Sequence, residues 1–141
     1  MDQITFEKVW TDDCLFEIKV RASNEFITAY QYCYVDNNII QEASDKILNY
    51  IANYKDPVVL EFGKKTGKYT PAFSMSILPA DTRGHLKIEM DMEINDNDTR
   101  SHRCCFYVNT ELGLLERFGK QLTDLIKETE GITCHLLNPE F

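Results

Sequence analysis

Apolar and polar residues alternate along much of this chain, which is the pattern of β-strands with one buried and one solvated face. The clearest run extends from Leu86 to Ile94, where every second residue is apolar and charged residues stand between them. The same alternation predicts five further strands. They cover residues 16–21, 26–35, 58–62, 72–78 and 102–108. Short connections between the later strands favour antiparallel hairpins, because a parallel crossover needs about a dozen residues.

Two segments change to the period of a helix. In residues 39–54 apolar residues recur at intervals of three and four, and Asn38 with Gln41 resembles a capping box that predicts the helix start. Residues 112–126 carry a second apolar stripe, and Thr110 is expected to cap it. The order of elements indicates the α+β class: a single antiparallel sheet of about five or six strands with two helices packed on one face.

The length of 141 residues predicts a single domain, residues 1–141. The hydrophobic fraction of 43% excludes a disordered chain, because burial of these side chains offsets the ordering entropy. The net charge of −8 makes nucleic acid and anionic membranes poor partners and favours a basic protein. We see no segment with the length of a membrane span or signal peptide, so we expect a cytoplasmic protein.

The cysteines are expected to be free thiols, because their number is odd and their spacing matches no disulfide framework. Cys104 and Cys105 are adjacent in a predicted strand and should therefore point to opposite faces of the sheet. Neither His102 with Cys104 nor Cys134 with His135 has the spacing of a structural zinc site. We predict no metal and no cofactor.

Two further motifs each allow a functional interpretation and a structural one. Gly63 and Gly67 are followed by Lys68, but three residues between the glycines is not the spacing of a phosphate loop, so this segment is interpreted as a basic hairpin turn. The stripe Tyr30, Tyr32 and Tyr34 could stack a ligand, although a strand surface packed under a helix is the favoured interpretation.

A run of carboxylates is the most conspicuous chemical feature. It consists of Glu89, Asp91, Glu93, Asp96 and Asp98. One interpretation is a solvated strand face paired with Arg100 or Arg103; the other is a docking surface for a basic protein, with Tyr107 as an aromatic anchor. A small hydrolase that uses Glu89, Asp91 and His85 is a further alternative, because these residues share one face of the strand.

The order of elements resembles the WapI family of small bacterial immunity proteins over about residues 15–127, leaving a C-terminal tail at 128–141. The segments that carry the resemblance are Phe16-Glu17-Ile18-Lys19-Val20, Phe26-Ile27-Thr28-Ala29-Tyr30, Leu60-Glu61-Phe62-Gly63, Tyr69-Thr70-Pro71-Ala72-Phe73, Gly84-His85-Leu86-Lys87-Ile88-Glu89, Cys105-Phe106-Tyr107-Val108 and Leu112-Gly113-Leu114-Leu115-Glu116-Arg117-Phe118. The resemblance implies cytoplasmic protection against a toxin, without catalysis.

We therefore predict a non-enzymatic immunity-type protein that neutralises a basic toxin domain through the carboxylate run and Tyr107. A module that self-associates through a sheet edge or the tyrosine stripe is the alternative from another class. An isologous homodimer is compatible with either function.

Overall fold

The computed structural model describes residues 2–63, 72–94, 102–127, 131 and 133–137. Within these ranges the chain forms eight strands and two helices. They are β1 (Gln3–Thr11), β2 (Phe16–Ser23), β3 (Thr28–Val35), α1 (Asn37–Asn53), β4 (Val58–Phe62), β5 (Ala72–Ile77), β6 (His85–Ile94), β7 (His102–Glu111), α2 (Leu112–Lys127) and β8 (Thr133–Leu137). All six predicted strands and both predicted helices are present, whereas β1 and β8 were not predicted. No helix in the described ranges is long and apolar enough to cross a membrane.

The strands form two antiparallel sheets, so the α+β class is confirmed but the single sheet of five or six strands is wrong. The first sheet has the order β3-β2-β1-β8 and the second has the order β4-β5-β6-β7. The difference arises because β2 and β3 do not pair with any of the four later predicted strands. β1 pairs with both β2 and β8, and this pairing completes a four-stranded sheet that is separate from the later hairpins.

The inward face of β1 explains why its sequence signal is weak. Ile4 and Phe6 are fully buried, but the next inward residue is Lys8, and the register with β2 shifts between Lys8 and Trp10. Lys8 Nζ donates a 2.7 Å hydrogen bond to the Leu125 carbonyl in the last turn of α2 and lies 4.3 Å from the centre of the Phe16 ring. A cation is favourable at a helix C-terminus, so this buried charge is compensated.

Phe6 connects the two sheets and α2 at the centre of the core. Its ring meets those of Phe62, Phe73 and Phe118 edge-on, with centroid distances of 5.4, 5.7 and 5.3 Å. Phe62 and Phe73 stack on each other at 4.6 Å. These offset and edge-on contacts are the geometries that aromatic quadrupoles favour.

Helix α2 begins at the predicted Leu112, but neither helix has its predicted cap. The N-cap of α1 is Asp36, whose carboxylate accepts a 2.8 Å hydrogen bond from the Ile39 amide, and Asn38 lies inside the first turn. Thr110 does not cap α2, because β7 continues pairing with β6 as far as Glu111. The Thr110 hydroxyl is buried and has no hydrogen-bond partner among the described residues.

Candidate functional site

The outward side of the second sheet carries the carboxylates that the sequence singled out. Leu86, Ile88, Met90 and Met92 point into the core and are at most 4% exposed, so the alternation predicted for β6 is confirmed. Glu89, Asp91 and Glu93 consequently project from the opposite face, beside outward residues of β7. We call this surface the acidic face; its members are Glu89, Asp91, Glu93, Arg103, Cys105 and Tyr107.

Asp91 is neutralised by a cation on the neighbouring strand. Arg103 Nε donates a 2.8 Å hydrogen bond to Asp91 Oδ1, and Arg103 Nη2 donates a second bond to Oδ2. The Asp91 side chain is only 11% exposed, whereas that of Arg103 is 59% exposed. The carboxylate holds the pKa of Arg103 above its ordinary value. One interpretation of the sequence is that the carboxylates pair with Arg100 or Arg103 across the strands. The pairing is confirmed for Asp91 with Arg103.

Glu89 is held by two groups of β7. The Tyr107 hydroxyl donates a 3.0 Å hydrogen bond to Glu89 Oε2, and Cys105 Sγ lies 3.5 Å from Oε1. The hydrogen bond with Glu89 raises the pKa of Tyr107, and burial followed by the hydrogen bond with Glu89 raises the pKa of Cys105. These contacts orient the carboxylate, while the Tyr107 ring remains 48% exposed at the surface.

The structure brings together only part of the predicted site. Glu93 is half-buried near the end of β6, directly opposite Arg103 in the strand register. Asp96 and Asp98 lie outside the described residues, as does Arg100. The acidic face is therefore established for the three carboxylates of β6 and for Tyr107.

The residues of the hydrolase alternative are directed to different neighbours. His85 Nδ1 lies 3.7 Å from Asp81 Oδ2, and His85 Nε2 lies 3.8 Å from Glu111 Oε1. Backbone hydrogen bonds, that from His85 foremost, lower the pKa of Asp81. Glu89 is meanwhile engaged with β7. In the described ranges no group of three His, Cys, Asp or Glu side chains is placed to hold a metal ion.

The cysteines differ in environment, and all five are free thiols. Cys33 and Cys134 are buried, and burial raises the pKa of each thiol to about 12. Cys104 packs partly against the core while Cys105 is exposed, so the predicted opposite orientation of this pair is confirmed. A buried thiol with a high pKa is a poor nucleophile.

The predicted basic hairpin turn that begins at Gly63 is not tested, because residues 64–70 lie outside the described ranges.

The tyrosine stripe is exposed, so its predicted packing under a helix is wrong. Tyr30, Tyr32 and Tyr34 are 56%, 42% and 46% exposed on the outward side of β3. Trp10 extends the stripe through an edge-on contact with Tyr34 at 6.2 Å, and Lys19 Nζ lies 5.1 Å from the Tyr30 ring centre. Alternation identified the two faces of β3 but did not show which one the core would cover.

Comparisons with protein families, curated proteins and solved structures find no match for this chain. The resemblance to the WapI-type immunity proteins accordingly stays a prediction from the sequence pattern.

Proposed function

We propose that this chain is a non-enzymatic, cytoplasmic immunity-type protein that binds and neutralises a basic toxin domain. The observation that carries the proposal is that Glu89, Asp91 and Glu93 lie on the outward side of one strand, with Glu89 and Glu93 half-buried and Asp91 paired with Arg103. An outward sheet face suits a protein partner, because a small-molecule site is usually a concave pocket.

The charge of the second sheet supports a basic partner. The outward side of its described strands carries more carboxylates than cations. The carboxylates are Glu61, Glu89, Asp91, Glu93 and Glu111, and the cations are Lys87 and Arg103. A toxin that cleaves nucleic acid needs a positive channel to hold phosphates. Carboxylates at the positions of those phosphates would block the channel, and opposite charges would accelerate the encounter.

The members of the acidic face have different roles in this proposal. Glu89 and Glu93 supply the negative charge that Arg103 does not already neutralise. Tyr107 holds Glu89 in place and presents an aromatic ring to the partner, which is the kind of anchor that contributes strongly to interfaces. Asp96 and Asp98 would extend the contact beyond the end of β6.

Self-association is the second candidate function, and the exposed tyrosine stripe favours it. Trp10, Tyr30, Tyr32 and Tyr34 form an aromatic surface on the first sheet, and aromatic side chains are enriched in protein interfaces. Self-association predicts an oligomer that forms as the protein concentration increases and that is lost in a Tyr32→Lys variant. Tyr32→Lys leaves the acidic face unchanged, so this variant separates the two functions.

A growth assay tests the proposed immunity function. Cells would express the toxin-like product of the neighbouring gene together with the native chain, with a Glu89→Lys/Glu93→Lys variant, or with a Glu25→Lys/Asp124→Lys control. Glu25 and Asp124 are exposed and lie outside β6 and β7, and their reversal changes the net charge by the same amount. The native chain and the control should protect the cells, and the acidic-face variant should not. Equal protection by all three would contradict the proposal.

A further inference from the structure

The edge strands of the two sheets differ in how their unpaired backbone groups are satisfied. A strand at the end of a sheet presents unpaired N–H and C=O groups, which proteins usually cover or satisfy. In β7 this edge is satisfied by side chains next to the ends of β1 and β2. Asn24 Nδ2 donates a 2.9 Å hydrogen bond to the Tyr107 carbonyl, and the Asn109 amide donates a 2.7 Å bond to Asp2 Oδ2. These two hydrogen bonds prevent a further strand from pairing with this part of the β7 edge.

The edge of β8 is also covered. Helix α2 packs against this strand, and the His135 amide donates a 3.4 Å hydrogen bond to Gln121 Oε1. Cys134 Sγ contacts the Gln121 carbonyl at 3.0 Å. Helix α2 therefore protects the last strand of the first sheet.

The edges of β3 and β4 differ from those of β7 and β8 in hydrogen bonding, although α1 lies close to β4. Outside their ladders, the backbone groups of these strands make one weak contact with described residues, from Cys33 Sγ to the Tyr34 carbonyl at 3.5 Å. Both strands line the same groove, which has a volume of about 660 Å³. Residues of both strands thus line one site, and its volume is within the usual range for a binding site.

The groove combines apolar and acidic side chains. Ile39 and Ala43 of α1 and Val59 of β4 supply apolar surface, and Val59 is 47% exposed. A partner that pairs with β4 would cover Val59 and the apolar side chains of α1 beside it. Burial of this surface would add a hydrophobic contribution to the backbone hydrogen bonds.

The charged groups of the groove are three carboxylates and one ammonium. Lys46 Nζ lies 3.3 Å from Glu42 Oε1, and Asp36 is occupied as the N-cap of α1. Glu61 is exposed and makes no ion pair with a described residue. The groove therefore has an excess of negative charge, which favours a cationic occupant.

We propose that this groove binds an extended peptide segment of another protein, which adds a strand to the edge of β4 that no described strand pairs with. Basic side chains of the segment would meet Glu61 and Glu42. An apolar side chain two positions from the basic one would cover Val59, because Val59 and Glu61 share one face of β4. Strand addition obtains affinity from main-chain hydrogen bonds and specificity from alternate side chains. Because β4 has five residues, the paired core of the segment spans about 17 Å. This inference does not depend on the immunity function.

A display library of random eight-residue peptides provides the probe. Selection on the native chain should enrich peptides in which a Lys or Arg and an apolar residue lie two positions apart, on one face of an extended strand. The strongest peptide is then synthesised and its affinity measured for the native chain and three variants. A Glu42→Lys/Glu61→Lys variant should bind at least about tenfold more weakly, whereas Glu25→Lys/Asp124→Lys and Glu89→Lys/Glu93→Lys should bind like the native chain. All three variants alter exposed or half-buried positions, and circular dichroism checks that each is folded.

The site of binding is checked by amide NMR with the same peptide. Chemical shifts should change along β4 and in the first turns of α1. No enrichment above background, enrichment of acidic peptides, or shifts centred on the acidic face would each overturn the proposal. A native dimer that disappears in the Glu42→Lys/Glu61→Lys variant would also overturn it, because the occupant would then be a second copy of the chain.

Discussion

Arg103 binds Asp91 through two hydrogen bonds, although the residue directly opposite Arg103 in the strand register is Glu93. The guanidinium reaches diagonally from β7 to β6. Glu93 therefore makes no hydrogen bond with the arginine directly opposite it. The acidic face is therefore divided into the pair of Asp91 with Arg103 and two carboxylates, Glu89 and Glu93, that make no ion pair with a described residue.

The first prediction concerns this pair. Arg103→Gln should strengthen binding of the basic toxin domain severalfold at low salt, because it removes a repelling cation and releases the charge of Asp91. The increase should shrink at high salt, where exposed charges are screened. Arg21→Gln on the first sheet is the matched control, since Arg21 is also exposed. Titration calorimetry at two salt concentrations measures the effect, and weaker binding by Arg103→Gln would show that Arg103 is itself a contact.

The packing of the two helices gives a second prediction. A Cβ atom at Gly119 of α2 would lie 2.7 Å from Ile47 Cγ2 of α1. Gly119→Ala should therefore lower the free energy of unfolding by about 1–3 kcal/mol, although alanine is the better helix former. Gly113→Ala, at a position with nothing within 4 Å, should be neutral or raise it by up to about 1 kcal/mol. Urea denaturation compares the two variants, and an equal effect would contradict the close approach of the helices.

Two buried hydroxyls give a third prediction with opposite signs. Thr110 Oγ1 has no partner among the described residues, whereas Ser44 Oγ donates a 2.6 Å hydrogen bond to the Gly119 carbonyl. Thr110→Val should raise the free energy of unfolding by about 1 kcal/mol, and Ser44→Ala should lower it by about 0.5–1.5 kcal/mol. Thermal unfolding measures both variants. A loss of stability in Thr110→Val would mean that the hydroxyl is satisfied.

The buried thiols give a fourth prediction about pH. The pKa of Cys33 and Cys134 is raised by burial from 9.0 to about 12, so the folded chain keeps protons that the unfolded chain releases. Their contribution to stability is complete below pH 9 and falls between about pH 9 and 12. A Cys33→Ala/Cys134→Ala variant should lose less stability over that interval than the native chain. Equal slopes in pH-dependent urea denaturation would contradict the assigned burial.

Thiol labelling gives an independent measure of the same environments. With iodoacetamide at pH 8, exposed Cys14 should react first, while Cys33 and Cys134 should be protected in the folded chain. Cys105 should react more slowly than Cys14, because its pKa is raised by burial and by Glu89. Mass spectrometry of digested samples follows each site over time. Rapid labelling of Cys33 would be incompatible with the packing of β3.

Much of the fold was predictable where the inward residues of an element are uniformly apolar. β6 was correct because Leu86, Ile88, Met90 and Met92 all face the core. β1 was missed because Lys8 occupies an inward position and a register shift follows it. The compensation of Lys8 by the end of α2 involves residues more than a hundred positions apart, so no local pattern reveals it.

The candidate site was predictable only as a set of residues on one strand face. The sequence placed Glu89, Asp91 and Glu93 together, but it did not show that Arg103 binds Asp91 rather than the residue opposite it. The exposed tyrosines were misjudged for a related reason. Both faces of β3 contain polar residues, so alternation alone does not show which face is buried. The assembled first sheet shows that Gln31 and Cys33 face inward.

The most direct test of the proposed function is the dissociation constant of the complex with the toxin-like product of the neighbouring gene, measured over a series of salt concentrations. For the native chain, affinity should be high at low salt and should fall steadily as salt increases. For Glu89→Lys/Glu93→Lys, binding at low salt should be lost, while Glu25→Lys/Asp124→Lys should retain most of the native affinity. Native and acidic-face variant chains that bind equally well at low salt would contradict the central claim that this face captures a basic partner.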